Sequence, residues 1–219
     1  MNAPLESFTV LAACTEERTP DLAARLRALG AHVVEMPTIR IAPPGDLDPL
    51  DRALRTHVPF DWVVFTSRHG VAAFVERARG IDVDPSAVGR RVATVGPATA
   101  AAARREGLRV DFTPLRFLTD AIAEGLGPVQ GRRVLLPRAD IARKSLADAL
   151  RARGAIVEEV VAYRTIPSDP PRATAATLRD VDFVVFTSAS AARSLDRILG
   201  PEAETLKRRA AAASRSGCS

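Results

Sequence analysis

Short apolar runs alternate with longer amphipathic stretches along most of the chain. Such runs are typical of strands buried in a parallel sheet, and the amphipathic stretches predict helices. The first helix is expected to have Thr19 as its cap, Pro20 at its first position and Gly30 at its end. The predicted strands are 8–14, 31–41, 61–66, 90–96, 109–114, 132–138, 155–165 and 182–186. This regular alternation predicts an α/β fold with helices on the faces of parallel sheets.

Two parts of the chain are copies of each other. The stretch "DWVVFTS" at 61–67 returns as "DFVVFTS" at 182–188, and residues 10–41 align without a gap with 134–165. Twelve of these thirty-two positions are identical. The identical pairs include Val10 and Val134, Leu26 and Leu150, Gly30 and Gly154, Glu35 and Glu159, and Arg40 and Arg164. An internal duplication therefore predicts two similar α/β domains.

Proline-rich breaks after each copy suggest how the two domains are connected. Prolines interrupt the pattern within 37–44 and again within 160–171. We therefore predict a discontinuous first domain, a second domain, and two connector strands that pair antiparallel. Their ranges are 1–36 with 168–219 for the first domain, 44–158 for the second, and 37–43 and 159–167 for the connector. A cleft between the two domains is the expected ligand site.

Composition narrows the class of protein. Hydrophobic residues make up 47% of the chain and charged residues 26%, which is typical of a globular protein. The net charge of +5 comes from dispersed basic residues, so it favours a polyanionic small molecule over nucleic acid. The two cysteines, Cys14 and Cys218, favour a reducing compartment. No apolar run approaches the ~20 residues of a membrane span, and no secretory signal is recognisable, so a cytoplasmic protein is expected.

Four stretches, taken in order, resemble one known family. They are "VVFTSRHGV", "ATVGPATAAAARREGL", "VLLPRADIARKSLADALRARGAIVEEVVAYRT" and "DFVVFTSASA". Together they resemble the uroporphyrinogen-III synthases over about residues 8–195. The resemblance implies two flavodoxin-like domains and a two-stranded antiparallel connector. It also implies a monomeric lyase that uses no cofactor or metal. This enzyme cyclises hydroxymethylbilane to uroporphyrinogen III, inverting the last pyrrole ring and losing water.

Such a substrate carries many carboxylates, so helix N-termini and arginines are the expected binding groups. The candidate substrate-binding residues are Thr66, Ser67, His69, Gly96, Arg138, Arg143, Thr187 and Ser188. A different interpretation stays open for each kind of residue. Ser and Thr at strand-to-helix turns also serve as plain caps, arginines lie on surfaces for solubility, and a loop histidine is often only solvated.

Tyr163 is the candidate proton donor. It is the only tyrosine in the chain, and the resemblance assigns the tyrosine of the "AYRT" segment to the departing hydroxyl group. A tyrosine with a pKa near 10 can donate a proton at neutral pH. An aromatic residue packed on a β-ribbon is the alternative role, and Thr99 is the second candidate donor. No metal-ligand spacing, G-x-G-x-x-G or P-loop is present in the sequence.

Two features depart from the family pattern. Cys14 stands where the internal repeat has Arg138 and where the resemblance implies an arginine. After the second "VVFTS" copy the chain ends in "LKRRAAAASRSGCS", without the strand and the "GPxTA" helix start that follow the first copy. We therefore expect an incomplete first domain and little activity from these residues. A non-catalytic ligand-sensing domain of the same fold stays the alternative function, and a periplasmic-type binder is disfavoured by the absent signal peptide.

Overall fold

The computed structural model describes residues 3–115, 119–169, 178, 180–200 and 203–204. The described residues divide into two compact units. The first comprises the residues up to Ile41 and those from Ile166 onward, and the second is Ala42–Thr165. The C-terminal segment on which the expected truncation rests, and Cys218 within it, lie outside the described residues.

Strands and helices alternate along the chain as the apolar pattern predicts. In chain order the elements are β1 (Thr9–Ala13), α1 (Thr19–Ala28), β2 (His32–Glu35), β3 (Ile39–Ala42), α2 (Asp48–Leu54), β4 (Trp62–Phe65), α3 (Arg68–Gly80), β5 (Val92–Thr94), α4 (Pro97–Arg105), α5 (Thr119–Gly125), β6 (Arg133–Ala139), α6 (Ser145–Ala152), β7 (Ile156–Pro167), β8 (Phe183–Phe186) and α7 (Ala189–Leu199).

Within the described residues, the strands form two sheets. One has three strands in the order β2-β1-β8, and the other has five in the order β3-β7-β6-β4-β5. Strand β1 pairs in parallel with β2 and with β8. In the second sheet β4 pairs in parallel with β5 and β6, and β6 with β7. The predicted α/β fold with parallel sheets is confirmed, while the flavodoxin-like character and the antiparallel connector stay predictions.

The internal duplication is visible in the local structure. Val10 lies opposite Val33 in one sheet, as Val134 lies opposite Val157 in the other. Each copy also contains the same ion pair between a helix and the strand that follows it. The pair is Arg27 to Glu35 at 2.9 Å in the first copy, and Arg151 to Glu159 at 2.8 Å in the second. The two copies of the repeat therefore share the same strand register at these positions and the same helix-to-strand ion pair.

Three sequence expectations about elements are wrong in detail. Thr19 is not the cap of α1 but its first residue, so Pro20 is the second residue and not the first. The Thr19 hydroxyl donates to the Thr15 carbonyl at 2.9 Å. The predicted strand 31–41 splits into β2 and β3 around Pro37, which has no N–H to give to a ladder. The predicted strand 109–114 contributes one isolated bridge, from Phe112 to Ala93.

The second unit has a hydrophobic core on its sheet and a point at which the chain order of the strands reverses. Apolar side chains of β4 and β6 pack against α5 and α6, and Trp62, Leu136 and Leu150 belong to this cluster. Because β5 and β6 lie on opposite sides of β4, the chain order reverses across β4. Ligands bind at such reversal points, beyond the carboxyl ends of the strands.

Candidate active site

Tyr163 and Ser67 share a hydrogen bond at the carboxyl edge of the second sheet. Their hydroxyl oxygens are 2.8 Å apart, and either can be the donor. Ser67 comes just after β4, has an extended backbone at φ −154° and ψ 156°, and caps α3. Its hydroxyl accepts the N–H of Gly70 at 3.0 Å. Because a serine hydroxyl has two lone pairs and one proton, it can cap the helix and bind Tyr163 at once.

A β-bulge aims Tyr163 toward Ser67. Arg138 of β6 lies opposite Val161, but the next residue, Ala139, lies opposite Tyr163, so Ala162 is skipped. Ala162 and Tyr163 are consequently both buried, although consecutive residues of a regular strand point to opposite faces. Bulges commonly redirect a side chain beside a functional site. Here the extra residue brings the phenol ring under the first turn of α3, where the His69 ring lies 5.9 Å from it between centroids.

Burial dominates the electrostatics of Tyr163. The residue is 8% exposed, and this desolvation raises the pKa of its hydroxyl above the ordinary value. The Ser67 hydrogen bond lowers the pKa, and the nearby charge of Asp140 raises it. The net direction is upward. Tyr163 is therefore held in its neutral form, in which it can donate a hydrogen bond and a proton.

We expect Tyr163 to titrate above its ordinary pKa of about 10 in the folded protein. Since it is the only tyrosine, the ultraviolet absorbance of tyrosinate reports this residue alone. The contribution of neutral Tyr163 to the free energy of unfolding should be fully present below pH ~10. It should be lost as the pH rises through the raised pKa of the folded protein. Ser67→Ala should raise the pKa further, because the hydrogen bond that lowers it is removed. A folded protein that titrates at or below the ordinary value contradicts this expectation.

A cavity of about 200 Å³ lies at the same edge of the sheet, where the chain order reverses. It lies at the carboxyl ends of three parallel strands, since Thr66 follows β4, Val95 follows β5 and Arg138 is near the end of β6. Its lining residues are Thr66, Val95, Ile122, Leu136, Arg138, Ala142, Arg143, Ser145 and Leu146. Apolar lining residues together with a few polar groups and two arginines are typical of a site for a small organic anion.

The structure brings six of the predicted residues into one region. Thr66, Arg138 and Arg143 line the cavity, while Ser67 and His69 lie at the ring or hydroxyl of Tyr163. These residues come from β6, β7, α3 and the segments that follow β4 and β6, so their meeting depends on the strand pairing.

The remaining predicted residues begin other helices. Gly96 caps α4 with an extended backbone, and its carbonyl accepts the N–H of Thr99 at 3.1 Å. Thr99 is 6% exposed. Ser188 caps α7 and accepts the N–H of Ala191 at 3.2 Å, and Thr187 precedes it as an exposed residue. Thr187 and Ser188 belong to the first unit, so their place in one cleft with Tyr163 stays a prediction.

Arg138 is buried, so the alternative of a plain surface arginine is wrong, while its predicted contact with substrate stays a prediction. It is 8% exposed, its Nη1 is 2.5 Å from Glu159 Oε2, and its Nη2 donates to the carbonyls of Ala142 and Arg143. Much of its hydrogen-bonding capacity is therefore used inside the protein. Arg143 is exposed and lies on the cavity wall.

Sequence reasoning missed four residues that shape this region. Ser145 lines the cavity at the start of α6. Glu159 binds Arg138 and Arg151, and Asp140 accepts the Thr165 N–H at 3.0 Å. A Cβ built on Gly70 would lie 3.1 Å from the Pro137 carbonyl oxygen. Of these four residues, only Glu159 could have been singled out from the sequence, because it is identical to Glu35 in the internal repeat.

Comparisons with known proteins agree on one family. The family model described as Uroporphyrinogen-III synthase HemD matches residues 20–216. Over 201 residues the chain is 34% identical to the uroporphyrinogen-III synthase of Synechococcus elongatus, a match that covers 90% of this chain and 76% of that relative. The chain belongs to the uroporphyrinogen-III synthase family.

Further relatives support the same assignment. The chain is 30% identical over 199 residues to the porphyrin biosynthesis protein HemD of Ruminiclostridium josui, covering 87% of this chain and 39% of that protein. Among solved structures, a mutant uroporphyrinogen III synthase of Thermus thermophilus matches with a TM-score of 0.65 and 19% identity. That match covers 87% of this chain and 76% of the other, and it shows a shared fold.

Two features are absent from the described part of the chain. Among its residues no helix is long and apolar enough to cross a membrane. The same residues contain no group of three or more His, Cys, Asp or Glu side chains that could hold a metal ion.

Proposed function

We propose that this chain cyclises hydroxymethylbilane to uroporphyrinogen III, with inversion of the last pyrrole ring and loss of water. Membership of the synthase family supports the substrate and the reaction. The observation that carries the catalytic assignment is the 2.8 Å hydrogen bond between Tyr163 and Ser67. Ser67 is adjacent in the chain to Thr66, which lines the cavity, so this pair lies where a reacting group can be reached.

Tyr163 is the general acid in the proposed mechanism. Its phenolic proton passes through the Ser67 hydroxyl to the hydroxyl group of the substrate, which leaves as water. An azafulvenium cation remains, and the substituted α-carbon of the last pyrrole ring attacks it to form a spiro intermediate. The bond from that carbon to its original methylene then breaks, which leaves a second azafulvenium cation on the preceding ring. The free α-carbon of the inverted ring attacks this cation. Ring closure finally releases one proton from a pyrrole carbon, and this proton returns to the tyrosinate. Atoms and charge balance over the cycle, and water is the only by-product.

The cavity supplies binding groups of two kinds. Val95, Ile122 and Leu136 offer apolar surface to a pyrrole ring, and Arg143 offers a guanidinium to a carboxylate arm. Thr66 lies at the start of α3, where backbone N–H groups and the helix dipole favour anions. Gly96, Thr99, Thr187 and Ser188 are proposed as further contacts at the starts of α4 and α7.

The finer expectations from the sequence become part of the proposal. The chain is taken as a cytoplasmic, monomeric lyase that works without cofactor or metal. Its two units are taken as flavodoxin-like domains joined by antiparallel connector strands. The alternative of a non-catalytic ligand-sensing domain is not favoured, since the relatives reported above have names that assign them to porphyrin biosynthesis.

The test is an assay of this chain with hydroxymethylbilane. The products are oxidised and the porphyrin isomers are separated, because closure without inversion gives a different isomer from closure with it. We expect the inverted isomer to form at a low rate that is still in excess over a protein-free control and proportional to protein concentration. An isomer ratio equal to that of the control rejects the proposed function.

A further inference from the structure

We propose that Arg138 is a positioning residue that holds the cavity-wall segment, residues 140–144, so that Arg143 faces the substrate. The inference rests on the proposed function, since the substrate is the one assigned there. It also changes the role of Arg138 itself. The sequence suggested direct contact with a carboxylate arm, whereas its contacts inside the protein point to action through its neighbours.

The hydrogen bonds of Arg138 are directed at the cavity-wall segment. Its Nη2 donates to the carbonyl of Ala142 at 2.7 Å and to the carbonyl of Arg143 at 2.7 Å. Two N–H groups sit on this nitrogen, so both have a partner. One guanidinium nitrogen thus binds two successive carbonyls through charge-assisted hydrogen bonds, which are stronger than bonds between neutral groups. The segment is therefore held by its backbone at the residue whose side chain reaches the cavity.

Glu159 fixes the guanidinium from the other side. Its Oε2 is 2.5 Å from Arg138 Nη1, and its Oε1 is 2.8 Å from Arg151 Nη2. The side chains of Arg138 and Glu159 are 9% and 22% exposed, whereas that of Arg151 is 45% exposed. The Arg138–Glu159 pair, called the inner pair, is thus shielded from water. The Arg151–Glu159 pair, called the outer pair, is not. Glu159 connects β6 to β7 and, through Arg151, to α6, which follows the cavity-wall segment.

The first copy of the repeat shows which part of this network is specific to the second. The pair of Arg27 with Glu35 corresponds to that of Arg151 with Glu159. At the position of Arg138, however, the first copy has Cys14. The outer ion pair is therefore common to both copies, while the inner arginine occurs only where the following segment lines the cavity.

Tyr163 is tied to the other end of the cavity-wall segment. The Asp140 N–H donates to the Tyr163 carbonyl at 3.1 Å, and the Asp140 side chain accepts the Thr165 N–H at 3.0 Å. The segment thus has one attachment beside the proposed proton donor and one at Arg138. Loss of the second attachment should loosen Arg143 and leave Tyr163 in place.

Arg138→Lys is the informative substitution. Lysine keeps a positive charge near Glu159, which avoids an unpaired buried carboxylate. Its three N–H donors lie on one nitrogen, however, so it lacks the planar fork in which Nη1 binds the carboxylate and Nη2 binds both carbonyls. We expect the KM for hydroxymethylbilane to rise about tenfold while kcat changes less than about twofold. Hydrogen exchange of the amides in 141–145, measured by mass spectrometry, should be about tenfold faster, with exchange in β4 unchanged.

A double variant separates positioning from direct binding. If Arg138 acts through Arg143, the KM of Arg138→Lys/Arg143→Ala should lie within about twofold of that of Arg143→Ala alone. If Arg138 binds the substrate itself, the two increases should multiply, and this result overturns the proposal. Unchanged exchange in 141–145 of the Arg138→Lys protein overturns it as well.

Arg151→Lys is the matched control. It changes the same kind of side chain on the same carboxylate, but in the exposed pair that the first copy also has. We expect KM and the exchange of 141–145 to stay within about twofold of the parent chain, because exposed ion pairs contribute little. Equal effects of Arg151→Lys and Arg138→Lys contradict a specific role for Arg138. If the parent chain forms no inverted isomer, the proposed function fails, and the exchange measurement alone still decides whether Arg138 holds the segment.

Discussion

Tyr163→Phe should lower the kcat for uroporphyrinogen III formation about 100-fold or more, which is the usual contribution of a positioned general acid. The substitution removes the hydroxyl that lies 2.8 Å from Ser67 and leaves the ring beneath α3. The cost in stability should be small, about 1 kcal/mol for one hydrogen bond, because Ser67 keeps its bond to the Gly70 N–H. The measurement is kcat by the isomer-resolved assay, together with the denaturant midpoint of both proteins.

Thr99→Val is the control for this result. It removes a hydroxyl of similar burial from the start of α4 and replaces it by a methyl group, at the residue that is the second candidate donor. With Tyr163 as the donor, Thr99→Val should reduce kcat far less than Tyr163→Phe does. Equal turnover by the parent chain and Tyr163→Phe would reject the proton-donor role, and a large loss in Thr99→Val would then point to Thr99.

Gly70→Ala should lower kcat about tenfold while leaving stability nearly unchanged. A Cβ on Gly70 would lie 3.1 Å from the Pro137 carbonyl oxygen, 3.4 Å from Ser67 Oγ and 3.8 Å from Tyr163 Cε1. The Pro137 carbonyl belongs to β6 inside the sheet and cannot withdraw easily, so the first turn of α3 must move instead. A shift of a few tenths of an ångström there misplaces Ser67 relative to Tyr163, and small misplacements are costly in catalysis. Alanine also favours the helix by about 1 kcal/mol over glycine, which offsets the crowding.

Gly80→Ala provides the matched substitution in the same helix. Gly80 is the last residue of α3, and among the described residues no atom outside its chain neighbours and the nearby helix backbone lies within 4 Å of a Cβ built there. We expect unchanged kcat and a gain in stability of up to about 1 kcal/mol, since only the helix propensity changes. Both variants are compared by kcat and by chemical denaturation. If Gly70→Ala and Gly80→Ala have the same kcat, the close approach of α3 to β6 does not position Ser67.

The residues of the candidate site differ in how far the sequence could predict them. Ser67 and Ser188 were predictable as helix starts, because each follows an apolar run and a serine there can accept an N–H from the first turn. The role of Arg138 could not be predicted from the sequence. Its partner Glu159 is distant in the chain and becomes a neighbour only because β6 and β7 pair in register. The sequence could suggest an arginine near a carboxylate substrate, but it could not show that the guanidinium binds the protein itself.

The position of Tyr163 shows the same limit. The apolar stretch before it has no alternation that would indicate which face each residue occupies. The skipped Ala162 moves Tyr163 by one place in the register, and a one-residue shift changes the face of a strand residue. A bulge of this kind arises from the fit between two strands, so neither strand alone predicts it.

The sequence by itself determined the alternation of strands and helices, the internal duplication and the family, because these depend on periodicity, on caps and on matching residues within local stretches. Only the tertiary structure decided that 109–114 is reduced to one bridge and that Tyr163 meets Ser67. It also decided that Gly70 lies where no side chain fits without movement. The physical reason is that these features depend on distances between segments that are far apart in the chain, and such distances are set by sheet pairing and close packing.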